Sequence, residues 1–172
     1  MENNLLEVEK LNEESIISSD ELLNHWQGHR NLTRKMIEAF PEKEFFTFSI
    51  GGMRPFSELI MEMIDITSAG VNGIVTGQWK TIEDLDHVSG NNKLQTKKDY
   101  LERWDNLTEE LNIHWKKIPA KRFHEVEAAF GQFEDTIFST ALYFIDNEIH
   151  HRGQGYVYLR ALGITPPPFW ER

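Results

Sequence analysis

The sequence contains no cysteine. Disulfide bonds and thiolate chemistry are therefore excluded, and any metal must be held by nitrogen or oxygen donors. Positive charge is also scarce: 18 lysines and arginines face 28 aspartates and glutamates, for a formal net charge of −10. A duplex-binding protein needs a basic face to neutralise phosphates, so nucleic acid is not an expected partner. No uninterrupted apolar run reaches the roughly 18 residues of a membrane span. The opening stretch MENNLLEVEKLNEESIISSD has neither the basic nor the apolar segment of a signal peptide. No membrane association and a cytoplasmic location are the resulting expectations.

What is present suits a globular chain. Apolar residues fill 40% of 172 positions and aromatics 12%, enough for one domain with a sizeable core and short for two. Residues 1–17 are acidic and weakly apolar and read as an extension. Residues 18–172 read as a single helical domain.

Ser18-Ser19-Asp20-Glu21 has the form of a capping box and opens the first helix. Leu22, Trp26, His29, Thr33, Met36, Ile37 and Phe40 follow at helical spacings, and Pro41 ends the run. Residues 41–52 read as an extended linker. Pro55 opens a second helix reaching about Thr76, its end weakened by Gly70 and Gly73. Residues 77–94 are polar and read as a loop. A third helix starts at Thr96-Lys97-Lys98-Asp99, carries Tyr100, Trp104, Leu107, Leu111, Trp115 and Ile118 on one stripe, and stops at Pro119. Residues 120–134 fit either a short helix or a small hairpin. The last helix runs from about Asp135 to Leu162, with Gly163 as its C′ residue and Pro166 to Pro168 preventing continuation. Four long amphipathic helices with almost no strand signal predict an all-α fold. The expected form is a four-helix bundle with a long loop or small irregular insert between the third and fourth helices.

The last helix carries an unusual polar set in DNEIHHRGQGYVYLRALGITPPP, residues 146–168. At about 100° per residue, Asn147, His151, Gln154 and Tyr158 share one stripe, and His150 lies about 60° from Asn147. On the second helix Glu62 interrupts an apolar run, three residues after Leu59 and four before Ile66. A carboxylate at such a core position must be paired, protonated or metal-bound. A Glu62–His151 pair explains both residues. It is either a metal-free hydrogen bond or part of a metal shell. His25 and His29, also spaced i, i+4, form a further candidate chelating pair. Arg152 and Arg160 read as bonding carboxylates or loop carbonyls, with substrate anchoring as the alternative. Gly153 reads as a point of close helix approach.

The stretches HHRGQGYVYLRALGITPP and MRPFSELIMEMID resemble the C-terminal signature and second-helix segment of the DinB/YfiT-like family, and the resemblance covers roughly residues 20–168. That resemblance implies a four-helix bundle and frequent homodimers. It also implies a divalent metal, often zinc or nickel, held by three histidines. One comes from the second helix and two, at i, i+4, from the last. Some relatives are S-transferases or isomerases that use low-molecular-weight thiols. Carried over residue by residue, the three ligand positions fall on Glu62, Asn147 and His151, so one histidine of three is retained. Such a donor set is harder and weaker than three imidazoles and would take zinc, nickel or manganese. Gln154, Tyr158 and Arg152 are then candidates for substrate binding. His150, His25 and His29 are candidates for proton transfer. The expected function is a metal-dependent transferase or hydrolase, of thiol S-transferase type, acting on a small molecule or thiol. The alternative is a non-catalytic small-molecule-binding or dimeric stress-response bundle without metal.

Overall fold

The computed structural model describes residues 16–172. Almost all of the acidic extension at 1–17 lies outside the described residues. The described chain forms six α-helices and one two-stranded sheet. These are α1 (Ser19–Ala39), α2 (Glu42–Thr47), α3 (Phe56–Thr76), α4 (Asp86–Ser89), α5 (Lys97–Trp115), β1 (Val126–Ala129), β2 (Phe133–Thr136) and α6 (Ile137–Ala161). Helices α1, α3, α5 and α6 make the bundle, and α1 and α3 each pack against both α5 and α6. The all-α expectation therefore holds, with a short hairpin added.

The helix boundaries follow local chemistry. Ser18 Oγ accepts the Glu21 N–H at 3.2 Å, and the Glu21 carboxylate accepts the Ser18 N–H at 2.8 Å. Thr96 and Asp99 repeat this reciprocal box at the start of α5. Each box satisfies N–H groups that a helix start leaves without partners. Pro55 precedes α3, and Gly77 closes it at φ 73°. Thr136 caps α6, and Gly163 follows its end at φ 76°.

Three connections depart from the sequence reading. The expected extended linker contains α2, because Phe45 is fully buried against Phe40, Phe56 and Tyr100. The expected loop at 77–94 holds a short 3-10 turn, Ile82–Asp84, and the four-residue α4. Buried Asp65 anchors that segment by accepting the backbone N–H of His87 and contacting His87 Nδ1. The ambiguous stretch after Pro119 becomes a 3-10 turn followed by the hairpin, with Val126 opposite Thr136 and Ala129 opposite Phe133. At its tip Phe130 adopts φ 53°, a conformation that strains an aromatic residue. Burial of its ring against Trp79 and Phe144 offsets the strain.

Helix α3 ends at Thr76 as expected, and Gly70 and Gly73 near its end have a packing role. A Cβ at Gly70 would collide with the Phe144 ring, and one at Gly73 with Trp79. The glycines are the seats of those rings. By composition α3 is apolar enough to cross a membrane, but 67% of that window is buried within the bundle.

The core is split into two apolar halves. One contains Trp26, Leu111, Trp115, Phe144 and Ile145; the other contains Met36, Ile60, Trp104, Leu107 and Tyr158. Between them in chain position lie buried His29, Arg30 and Thr33 on α1, and buried Glu148, His151 and Arg152 on α6. This polar layer across the bundle holds three of the residues singled out from the sequence, His29, His151 and Arg152.

Candidate functional site

Two polar centres occupy the layer, on opposite sides of α6. The first joins α6 to α3. His151 Nε2 lies 2.8 Å from Glu62 Oε1, and Asn147 Nδ2 donates to the same oxygen at 3.0 Å. The i, i+4 spacing of Asn147 and His151 delivers both side chains to one carboxylate. Arg54, just before α3, donates from Nη2 to Glu62 Oε2. His151 Nδ1 lies 3.2 Å from Gln154 Oε1, and Gln154 Nε2 lies 3.3 Å from exposed His150 Nε2. A chain of contacts thus runs from Glu62 to the surface.

The Glu62 and His151 side chains are 15% and 9% exposed, whereas Arg54 is 43% exposed. Burial pushes the Glu62 carboxyl upward. Hydrogen bonds from His151, Arg54 and Asn147 outweigh it and hold the group well below the usual carboxylate range. Glu62 is therefore ionised, with both oxygens engaged. Asn147 Oδ1 is buried without a protein partner, and an N–H, an O–H or a water would satisfy it.

The second centre joins α6 to α1 and α5. Buried Glu148 accepts from Thr33 Oγ1 at 2.7 Å and from Trp26 Nε1 at 3.2 Å. The Arg30 and Arg152 guanidiniums stand 3.7 and 3.6 Å from its oxygens. Arg30 is fully buried, stacks over Trp104 at 3.9 Å and donates to Thr108 Oγ1 at 2.7 Å. Burial pulls its guanidinium down to about 10, still charged at neutral pH. Arg152 donates to Thr33 Oγ1 and lies 2.8 Å from His29 Nδ1. His25 and Arg172 approach His29 Nε2 at 3.2 and 3.0 Å. Burial, with the nearby Arg152 charge, pulls His29 down to about 3, so its ring is neutral.

The sequence candidates therefore divide. Glu62, Asn147, His151, Gln154 and His150 gather at the first centre. Arg152, His29 and His25 belong to the second, where Arg152 ties α6 to α1. Tyr158 is buried and its hydroxyl donates to the Arg54 carbonyl at 2.9 Å, so it secures the loop that carries Arg54. Arg54, Arg30 and Glu148 were missed. For the last two a signal existed: each is a charge at helical spacing among apolar neighbours, Arg30 after Trp26 and Glu148 after Phe144. Arg54 had none, since it lies outside the helix and no periodicity relates it to Glu62.

The first centre does not suit the divalent metal that the resemblance implies. It offers one imidazole, one carboxylate and one amide, and the amide is a poor donor to zinc or nickel. A cation between Glu62 and His151 would displace two hydrogen bonds on Oε1 and stand near the Arg54 guanidinium. No cluster of three or more His, Asp or Glu side chains suited to a metal occurs among the described residues. At His25 and His29, two guanidiniums already flank the imidazole. Neither place fits a divalent metal.

The class of protein is thus a four-helix bundle with a short insert before its last helix, whose α3 and α6 meet at a carboxylate–imidazole pair. Comparison with known proteins makes this more definite. The sequence profile of the DinB family matches residues 1–172, and the chain belongs to that family. It is 22% identical over 154 residues to a Bacillus subtilis (strain 168) protein named uncharacterized protein YjoA, covering 90% of this chain and 97% of that one. The crystal structure of that DinB-like protein matches with a TM-score of 0.68 at 19% identity, covering 88% of this chain and 98% of that one. A DinB-like protein from Bacillus cereus matches with a TM-score of 0.64 at 17% identity, covering 87% and 95%. At these identities the solved structures speak for the fold alone.

Proposed function

We propose that this chain is a metal-independent, non-catalytic DinB-family bundle that binds small molecules. In it the Glu62–His151 centre is a clasp between α3 and α6. One observation carries the reading: Arg54 supplies the positive charge beside Glu62 that a metal would otherwise bring. A carboxylate that receives three side-chain hydrogen bonds has little capacity left as a metal ligand or general base. The metal-dependent thiol S-transferase reading requires the opposite, an open metal with a vacant position for thiol or water.

The test is metal analysis of tag-free protein by mass spectrometry, followed by zinc, nickel and manganese titrations. The expected result is substoichiometric metal in the purified protein and no saturable uptake at one equivalent. One tightly bound equivalent, lost in both Glu62→Gln and His151→Asn, overturns the proposal and restores the enzyme reading.

A further inference from the structure

A further cavity lies away from the Glu62 centre, with Arg152 of the second centre at its wall. It is a groove of about 770 Å³ between the outer face of α6 and the chain after Gly163. Its volume falls in the range of about 300–1,000 Å³ typical of small-molecule sites. The walls are held in place. The Tyr156 hydroxyl donates to the Pro167 carbonyl at 2.8 Å, and the Ile164 N–H to the Leu159 carbonyl at 2.8 Å. Farther along, Lys35 Nζ donates to the Glu171 carbonyl at 3.0 Å. The arm that forms one wall is thus tied to α6 at its base and to α1 at its tip.

Three features of this groove are not accounted for by the contacts they make within the described residues. The first is Gly153, at its floor in the interior of α6. A Cβ there would meet nothing within 4 Å, so no neighbouring element of the chain requires the glycine. The close helix approach expected at Gly153 is absent among the described residues. A glycine in a helix interior nonetheless costs about 1 kcal/mol relative to alanine. The second is the pair Phe169 and Trp170, 65% and 69% exposed, with ring centroids 5.3 Å apart at the groove's edge. The third is Arg160. Arg152 lines the same groove but is committed to Glu148, whereas Arg160 is exposed and has no carboxylate within 4 Å among the described residues. Its guanidinium lies 5.6 Å from the Tyr156 ring and donates from Nη1 to the Tyr156 carbonyl at 3.4 Å, a long contact that leaves its other N–H groups facing outward. A cation with no carboxylate partner among the described residues, beside aliphatic and aromatic walls on a chain of net charge −10, complements a ligand with an apolar body and one negative head.

We infer that the groove between α6 and the C-terminal arm is a binding site for an amphipathic small-molecule anion, of the class of medium-chain or aromatic carboxylates. The apolar body lies along Ile149, Gly153 and Ile164 under the Phe169–Trp170 edge. The carboxylate meets Arg160. Gly153 keeps the floor low enough for the ligand to seat. The inference goes beyond the reading of the Glu62 centre and does not depend on it, because no residue of that centre lines the groove.

The probe is decanoate, below its micelle concentration, titrated calorimetrically into the full chain. Trp170 emission is followed in parallel, with Trp170→Phe to isolate its signal. Saturable binding is expected with a blue shift that Trp170→Phe removes. Arg160→Gln is expected to weaken decanoate at least tenfold while leaving octanol, a neutral probe, within twofold. Gly153→Ala and Gly153→Leu are expected to raise the melting temperature, because each improves helix propensity at an open position, yet weaken decanoate at least tenfold. Opposite signs on stability and binding are what a merely structural glycine would not produce. The proposal is overturned by the absence of saturable binding, or by binding that Arg160→Gln and Gly153→Leu leave intact. It is also overturned if light scattering shows a dimer that Gly153→Leu splits, since a second copy would then cover this face.

Discussion

Replacing Glu62 by glutamine keeps the side chain's shape and removes its charge, which makes it a direct probe of the clasp. Three hydrogen bonds to an ionised carboxylate are altered, from His151, Asn147 and Arg54. A hydrogen bond to a charged group contributes about 1.5–3 kcal/mol when well buried. The Arg54 contact counts for less, about 0–1 kcal/mol, because that side chain is 43% exposed and can turn to water. Glutamine retains an acceptor for Asn147, so the net loss at neutral pH should be about 2–3 kcal/mol, or about 4–12 °C in melting temperature. The loss should also depend on pH. Glu62 is held below its ordinary value of 4.5, so it stabilises the fold fully above that value and less as pH falls toward the folded-state value. The wild-type and Glu62→Gln proteins, unfolded in urea and followed by tryptophan fluorescence, should therefore differ by a constant amount from about pH 7 to pH 5. Below pH 4.5 the two should converge. Equal stabilities at pH 7, or a gap that stays unchanged down to about pH 3, would refute the ionised, hydrogen-bonded carboxylate.

Three further outcomes follow from the second centre and the packing. Glu148→Ala removes the counter-charge of Arg30 and Arg152 in the bundle interior and should cost about 3–5 kcal/mol in chemical denaturation. His29 should remain neutral under mild acid, its ring proton shifts in an NMR titration flat from about pH 8 to pH 5. Because the unfolded ring takes up a proton near 6.5 and the folded one only near 3, this residue lowers stability as pH falls below about 6.5. Gly155→Ala places a Cβ against the Phe56 ring and should destabilise by about 1–3 kcal/mol in thermal unfolding, opposite in sign to Gly153→Ala on the same helix.

Much of this protein was legible in the residue order, because its signals are local. Caps at Ser18 and Thr96, a stop at Gly163 and apolar spacing of three and four set the long helices wherever the chain happens to fold. Glu62 and His151 were legible as well, since a charged or polar group on an apolar face needs a partner, and each was the nearest suitable partner for the other. The other features depend on residues far apart in the chain. Arg54 reaches Glu62 from a loop whose path is set by Tyr158 on another helix, and no spacing rule connects them. Glu148 and Arg30 could each be seen as misplaced charges, yet only the bundle's packing decides that Arg30 and Arg152 share the single carboxylate. The helix at 42–47 forms because Phe45 finds a pocket lined by three other elements, which outweighs its weak local preference. The groove beside α6 exists only once the arm after Gly163 is fastened back along the helix. Periodicity tells which face of a helix avoids water, because that depends on neighbours within a turn or two. What that face meets is decided by three-dimensional closure, where hydrogen bonds and charges pair across separations of a hundred residues.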